Sequence, residues 1–341
     1  MQEETQKNSP QWLLFRPQQV RDAERTQGLM DEGCYSQFLI HPHPTERVFL
    51  FFHGFTATPA QFLPIARNLH REGHNVVIPL MPGHGQAGEW HAKQPPPLPI
   101  KAQIYKDFAN KWLDRTIPMG KQVVVGGLSG GGAVAAWLAF ARPKEISRAL
   151  LYAAYLSSSS RVVDLLVRRL RGYHEWTGKV KFGYHCFTFP QLSVFLEIGD
   201  EVMRRSRRQK PAPLFAISSE SDRAVGNRDH RTLFERSVKH QPLCWYHCFD
   251  RVLDIPHTML TETEGNQYQN LLVSMTKAYT ESELTWPQVQ EIAYRMSQGR
   301  TFDDVVAELG WRDRVSPHMP AMMTLVDKRS IAMKRQKNWR R

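Results

Sequence analysis

The run Val123-Val124-Val125-Gly126-Gly127-Leu128-Ser129-Gly130-Gly131-Gly132-Ala133-Val134-Ala135-Ala136-Trp137-Leu138 constrains this chain more than any other segment. Three valines predict a buried strand. The small and apolar residues after the glycines predict an apolar helix. Between them, Gly127-Leu128-Ser129-Gly130-Gly131 must reverse the chain sharply. In this strand–turn–helix context, a Gly-x-Ser-x-Gly elbow holds a serine in strained backbone with its hydroxyl clear of the sheet. Residues two before and two after the serine crowd their neighbours, so glycine is needed at Gly127 and Gly131. An idle serine in a glycine-rich turn would show the same five letters. The flanking valine strand and small-residue helix favour Ser129 as a nucleophile.

A second apolar strand, within Arg47 to Phe52, runs into His53-Gly54-Phe55. Acyl transfer needs two N–H donors aimed at the oxygen that becomes negative in the tetrahedral intermediate. One is the amide after the nucleophile, Gly130. The other is expected from the loop after an earlier strand, at Phe55, with Gly54 leaving room for close approach. His53 is read as a brace for this loop, since backbone amides carry the loop's role. In Asn75-Val76-Val77-Ile78-Pro79-Leu80-Met81-Pro82-Gly83-His84-Gly85 a third, short strand ends in a tight Pro/Gly turn.

With His53-Gly54-Phe55, Pro82-Gly83-His84-Gly85 and Gly127-Leu128-Ser129-Gly130-Gly131 in that order, the chain resembles the α/β-hydrolases. It is most similar to their carboxylesterase and monoacylglycerol-lipase branch, over roughly residues 40–280. The resemblance implies an acid and then a histidine downstream of the serine. The strand Pro213 to Ile217 leads into a loop holding Asp222, the best acid, with Glu220 as runner-up. After a helix from Asn227 to Lys239 and an alternating strand from Leu243 to Phe249, His257 lies on the following loop. His247 lies within that strand and His240 at the end of the preceding helix, so His257 is preferred as base. A serine hydroxyl is a poor nucleophile at neutral pH, and a histidine, with an unperturbed pKa of about 6.5, can take its proton and return it to the leaving group. The carboxylate fixes the imidazole tautomer and stabilises the imidazolium.

The expected fold class is α/β: a doubly wound, mostly parallel α/β-hydrolase sheet with a helical cap insertion and a small C-terminal helical extension. Residues 1–40 form an N-terminal extension, 41–156 and 212–282 the core, 157–211 the cap and 283–341 the basic extension. The crossovers Thr58–Gly73, Ile100–Thr116, Gly131–Arg142 and Asn227–His240 alternate with strands, and Thr263–Thr280 closes the core. The polar residues 1–10 show no signal peptide, and no apolar run approaches the ~18 residues needed to span a membrane. Cys34, Cys186, Cys244 and Cys248 show neither metal nor redox spacing, and free thiols in a reducing, cytoplasmic compartment are expected. The expected chemistry needs no metal and no organic cofactor.

The net charge of +12 is localised. Residues 157–211 carry eleven Lys/Arg against five Asp/Glu, and residues 328–341 carry seven Lys/Arg with no acid. The remainder is close to neutral. In the cap, Ser157-Ser158-Ser159-Ser160 reads as a flexible hinge. Val162-Val163, Leu165-Leu166-Val167 and Leu170 read as an amphipathic helix edged by arginines. Tyr184, Phe187, Phe189, Leu192, Phe195 and Leu196 read as an aromatic surface for an acyl chain. The basic rim either meets an anionic group or lipid surface, or only keeps the cap soluble. In the extension, helices at Pro287–Gln298 and Phe302–Leu309 and a third stretch from Ala321 to about Trp339 suggest either a module packed on the core or a nucleic-acid-binding one; nucleic acid is the less favoured partner.

These features converge on a serine hydrolase acting on a small-molecule or lipid ester with an apolar acyl group, through an acyl-enzyme at Ser129. The rivals are a thioesterase or acyltransferase with the same three residues, and a scaffold whose C-terminal module binds nucleic acid.

Overall fold

A computed structural model describes residues 15–176 and 180–326. Seven strands form the main sheet: β1 Gln37–Leu39, β2 Thr45–Phe52, β3 Asn75–Ile78, β4 Gly120–Leu128, β5 Arg148–Tyr152, β8 Leu214–Ser219 and β9 Trp245–Phe249. Their order is β1-β3-β2-β4-β5-β8-β9. Only β1 runs antiparallel; the other six are parallel. A parallel strand covered on both faces needs apolar side chains at every position. Val48 to Phe52 in β2, Val123 to Val125 in β4 and Leu214 to Ile217 in β8 meet that condition, all of them buried.

The crossover helices are α2 Leu63–Arg71, α3 Ala102–Thr116, α4 Gly130–Ala141 and α7 Asn227–Ser237; α8 Gln269–Glu281 follows the last strand. The chain moves outward from β2 to β3, then back across β2 to β4. Right-handed crossovers therefore place α2 and α3 on opposite faces. α4 joins α3, and α8 packs beside α2. A preceding helix, α1 Pro17–Arg25, opens the described chain. The carboxyl ends of the parallel strands all lie at one edge, where open α/β sheets place their ligands.

Between β5 and β8 the chain forms helix α5 Arg161–Arg169, a two-stranded hairpin of β6 Tyr173–Glu175 and β7 Cys186–Thr188, and helix α6 Phe189–Arg205. The serine run before α5 is tied down. Ser158 shares a hydrogen bond with the Tyr155 hydroxyl (2.6 Å) and donates its amide to Asp164 (2.7 Å), and Ser160 caps α5. Helix α6 is held to the core by Glu201, which accepts from Lys106 Nζ of α3 (2.5 Å) and Trp137 Nε1 of α4 (3.0 Å) and pairs with Arg205. Although burial opposes ionisation, these donors hold the Glu201 carboxyl down at about 2.

Beyond α8 come α9 Trp286–Met296, α10 Phe302–Glu308 and α11 Met319–Met323. Val289, Ile292 and Ala293 are buried, and Thr285 with Gln288 forms a capping box. The described part of this extension packs on the core. Trp286 packs edge-on to Phe234 and tilted against Trp245, Trp245 donates to the Leu284 carbonyl (2.8 Å), and Arg148 pairs with Glu283 (2.7 Å). Of the expected third helix, Ala321 to about Trp339, everything from residue 327 onward lies outside the described residues.

Several boundaries differ from the sequence reading. Gln37–Leu39, counted with the N-terminal extension, is the antiparallel edge strand of the sheet. The strand that the sequence extends from Arg148 to Leu156, up to the start of the cap, stops at Tyr152, because Ala153 turns with φ 41°. The closing helix starts at Gln269, after a short 3-10 turn at Glu262–Glu264 that ends on Gly265 with φ 106°. Cys244, expected within the last strand, lies just before β9, and all four cysteines are free thiols.

Candidate active site

Ser129 sits at the join of β4 and α4 with φ 53° and ψ −117°, a conformation that L residues avoid. Its neighbours enforce it. The Ser129 amide donates to the Tyr152 carbonyl (3.0 Å), and its own carbonyl accepts from Ala133 (3.0 Å) and Tyr155 (2.8 Å). A Cβ on Gly127 would lie 2.2 Å from the Gly131 carbonyl oxygen, and one on Gly131 would lie 2.1 Å from the Phe52 carbonyl oxygen. The two flanking glycines are thus required by backbone contact on both sides.

The loops after β8 and β9 bring Asp222 and His257 to the same edge. His257 Nε2 lies 2.9 Å from Ser129 Oγ, and its Nδ1 lies 2.7 Å from Asp222 Oδ2. The other carboxylate oxygen of Asp222 accepts the amides of Ala224 (2.8 Å) and Val225 (3.2 Å). Burial of Asp222 by itself disfavours the charged form; the bonds from His257 and the two amides reverse this and lower the carboxyl below its usual range. An ionised Asp222 can only accept, so His257 carries its proton on Nδ1 and presents Nε2 as an acceptor to the serine hydroxyl. The three side chains form one hydrogen-bonded line.

The runner-up residues stand elsewhere. Glu220 is exposed and accepts from the Arg251 amide (3.4 Å). His247 is enclosed beside Phe249, and burial lowers its pKa to about 4. His240 is exposed after α7.

On the loop after β2, the direction of the Phe55 amide follows from its own peptide group. The Gly54 carbonyl accepts from the Ala57 amide (3.0 Å) and from His53 Nδ1 (3.0 Å). In a trans peptide the Phe55 N–H must point the opposite way. His53 Nε2 accepts the Met81 amide (3.0 Å), which fixes the neutral tautomer with its proton on Nδ1. Complete burial pushes the His53 pKa well down, consistent with this neutral role. His53 thus braces the loop against the turn after β3. The second expected donor, Gly130, is the first residue of α4, where an amide has no acceptor within its helix.

The cap closes over this loop. Tyr184 donates its amide to the Thr56 carbonyl (2.8 Å), and Gly183, with φ 77°, comes so near Thr56 that a Cβ would lie 1.9 Å from its oxygen. The Tyr184 hydroxyl donates to the Gly83 carbonyl (2.8 Å) and accepts the Gln86 amide (2.8 Å). Phe55 meets Phe187 at 5.1 Å and Phe195 at 5.3 Å between ring centroids, and Phe195 also lies against Gly130. Tyr184, Phe187, Phe195 and Leu196 are buried and Phe189 and Leu192 half-buried, so the aromatic surface expected in the cap faces inward, onto Phe55 and the start of α4. His84, buried with its pKa lowered to about 4, stands edge-on to both His53 and Phe55.

Sequence reasoning missed the Tyr184 clamp, along with Gln61 and Glu264. The local signal at Tyr184 is the glycine before it, Gly183, whereas the sequence reading places Tyr184 only within the aromatic surface of the cap. Away from Ser129, Glu72, Glu281 and His318 lie close enough together to share a cation, but the Lys277 ammonium already pairs with Glu72 there.

A family model of the alpha/beta hydrolase fold matches residues 47–183. The chain has the alpha/beta hydrolase fold. Solved structures agree in architecture at low identity. One of the two metagenome-derived lipolytic enzymes LipS and LipT is 17% identical, with 73% of this chain and 97% of that one covered at a TM-score of 0.57. The monoacylglycerol lipase of Paleococcus ferrophilus is 14% identical, covering 71% and 96% at 0.55. A soluble variant of the monoglyceride lipase of Saccharomyces cerevisiae, in complex with a substrate analog, is 12% identical, covering 70% and 90% at 0.51. No curated protein matches the sequence. Among the described residues of this hydrolase fold, no helix is long and apolar enough to cross a membrane.

Proposed function

We propose that this alpha/beta hydrolase is a serine esterase that cleaves carboxylic esters with an apolar acyl group. The observation that carries this is the line Asp222–His257–Ser129, with contacts of 2.7 and 2.9 Å, at the carboxyl edge of the sheet. Ser129 Oγ attacks the ester carbonyl while His257 Nε2 takes its proton. The resulting oxyanion is met by the amides of Phe55 and Gly130. His257 then protonates the departing alcohol oxygen, leaving an acyl group on Ser129. A water molecule, deprotonated by His257, releases the acid and restores the serine. Asp222, ionised and buried, holds the imidazole tautomer and offsets the charge of the imidazolium.

Phe55, Phe187 and Phe195 form an apolar cluster between the loop that carries the Phe55 amide and Gly130 at the start of α4, which suits an acyl chain. The outer face of the cap supports a lipid source for the substrate. Val162, Leu165, Leu166 and Leu170 of the α5 region are 67, 48, 46 and 47% exposed, and Trp176 is 42% exposed. Exposed Arg161, Arg169 and Arg171 flank them. An apolar helix face bordered by cations fits an anionic lipid surface.

The test is turnover of p-nitrophenyl esters graded from acetyl to palmitoyl by the wild-type chain and by Ser129→Ala. The proposal expects hydrolysis with a preference for chains longer than acetyl, abolished in Ser129→Ala. Equal rates in the two proteins, or none at any length from folded wild type, would overturn it.

A further inference from the structure

Gln61 and Glu264 stand 203 residues apart and meet between the loop that carries Phe55 and the loop that carries His257. The Gly54 amide donates to Gln61 Oε1 (2.9 Å), and Gln61 Nε2 donates to Glu264 Oε1 (2.8 Å). Thr261 Oγ1 donates to Glu264 Oε2 (2.8 Å) and accepts the Glu264 amide (3.2 Å). Thr258, the residue after His257, donates its hydroxyl to the Glu264 carbonyl (3.4 Å). The polarity of this line is fixed. Gly54 N–H can only donate, so Gln61 turns its oxygen toward Gly54 and its NH2 toward Glu264. Both carboxylate oxygens of Glu264 are then acceptors.

The line is costly to bury. Gln61 is 2% and Thr261 3% exposed. Apolar side chains of similar size would join the loops without desolvating a carboxylate. Polar contacts add direction. The Gly54 amide is held by Gln61, and the Gly54 carbonyl by Ala57 and His53, so both peptide groups around Gly54 are locked, and with them the Phe55 N–H. At the other end the same carboxylate is bonded into the turn that follows His257.

We infer that Gln61 and Glu264 form a polar strut that sets the spacing and orientation of the Phe55 amide relative to the His257 imidazole, and that both are positioning residues for the reaction at Ser129. The inference rests on the serine-esterase reading above. Burial pushes the Glu264 carboxyl up to about 7, while the hydrogen bonds from Gln61 and Thr261, and more weakly His257, pull it back down.

The test measures the rate at which a fluorophosphonate labels Ser129 in the full chain, since that rate reads serine activation and the oxyanion donors without an ester substrate. Thermal midpoints and circular dichroism are recorded on the same samples, and rates are normalised to the folded fraction. Loss of the strut in Gln61→Leu or Glu264→Ala slows labelling about 10- to 100-fold. The double variant is no slower than the slower single, because both changes break one line. Glu264→Gln, which keeps an oxygen acceptor for Gln61, labels within about threefold of wild type, as expected where one neutral hydrogen bond substitutes for a charged one.

Gln61→Leu and Glu264→Gln conserve side-chain volume, so a slow Gln61→Leu beside a near-wild-type Glu264→Gln carries the comparison if Glu264→Ala does not fold. Wild-type labelling rates in folded Gln61→Leu would overturn the strut, as would losses that multiply in the double variant or a Glu264→Gln as slow as Glu264→Ala. A wild-type chain that does not label at all would instead overturn the hydrolase reading beneath it.

Discussion

Gly131 lies so close under Phe52 that a Cβ on it would stand 2.1 Å from the Phe52 carbonyl oxygen and 2.4 Å from that of His53. The start of α4 therefore rests directly on the end of β2, and the loop that carries Phe55 begins at that contact. Gly131→Ala must push β2 and α4 apart. Overpacking of this kind costs about 1–3 kcal/mol, with more where the obstacle is backbone. A fall in the thermal midpoint is expected by calorimetry. The remaining folded protein should lose at least ~100-fold in ester turnover, because the Phe55 amide moves with β2.

Asp222 tests the tautomer argument. Its carboxylate accepts from His257 on one oxygen and from two amides on the other. In Asp222→Asn the side-chain amide can donate to His257 Nδ1 and so favours the wrong tautomer. A drop in kcat of about 10⁴-fold with KM little changed is expected from steady-state kinetics, larger than removal of a single solvent-exposed charge could cause.

Glu264 gives a pH signature in stability. Its pKa is raised to about 7 in the folded chain from an ordinary value of 4.5. Between those values the folded state holds the proton more tightly than the unfolded state. The contribution of this group is thus full below the unfolded value and is lost as pH rises through about 7. Glu264→Gln has no such proton. The thermal midpoint of the variant minus that of wild type should grow as pH is raised from ~5 to ~8. A difference that stays flat over that window would contradict the assigned burial of Glu264.

Much of this architecture was legible in local sequence. Val123 to Val125 and Phe49 to Phe52 are buried strands, and the positions singled out after β4, β8 and β9 are the ones the structure brings together as Ser129, Asp222 and His257. Each sits in a short pattern of apolar strand followed by turn, so the physics that places it acts over few residues. Gln37–Leu39 was not legible, because a three-residue edge strand has too few side chains to show alternation. Gln61 and Glu264 were invisible for another reason. Each looks like an ordinary surface polar residue, and their bond depends on loops brought together from opposite ends of the domain. Tyr184 was read as apolar surface, while its hydroxyl serves as a joint between the cap and the Gly83 turn.

The cap face makes a separate expectation. Leu165 and Leu166 are about half exposed on α5 beside Arg161 and Arg169. Leu165→Glu with Leu166→Glu should abolish co-sedimentation with anionic phospholipid vesicles while leaving turnover of a short soluble ester within about twofold, since surface substitutions far from the reacting atoms cost little. Equal sedimentation of variant and wild type would remove the lipid-surface contact from the account.

The central claim, that Ser129 is the nucleophile, is tested most directly by covalent capture. The wild-type chain is incubated with a fluorophosphonate, digested, and mapped by mass spectrometry, with Ser129→Ala and His257→Gln treated alongside. Expected is one phosphonyl adduct, on the peptide containing Ser129, absent from Ser129→Ala and slowed by several orders of magnitude in His257→Gln, where roughly a million-fold loss accompanies removal of a serine or its base. An adduct on another residue, or labelling of His257→Gln at the wild-type rate, would contradict it.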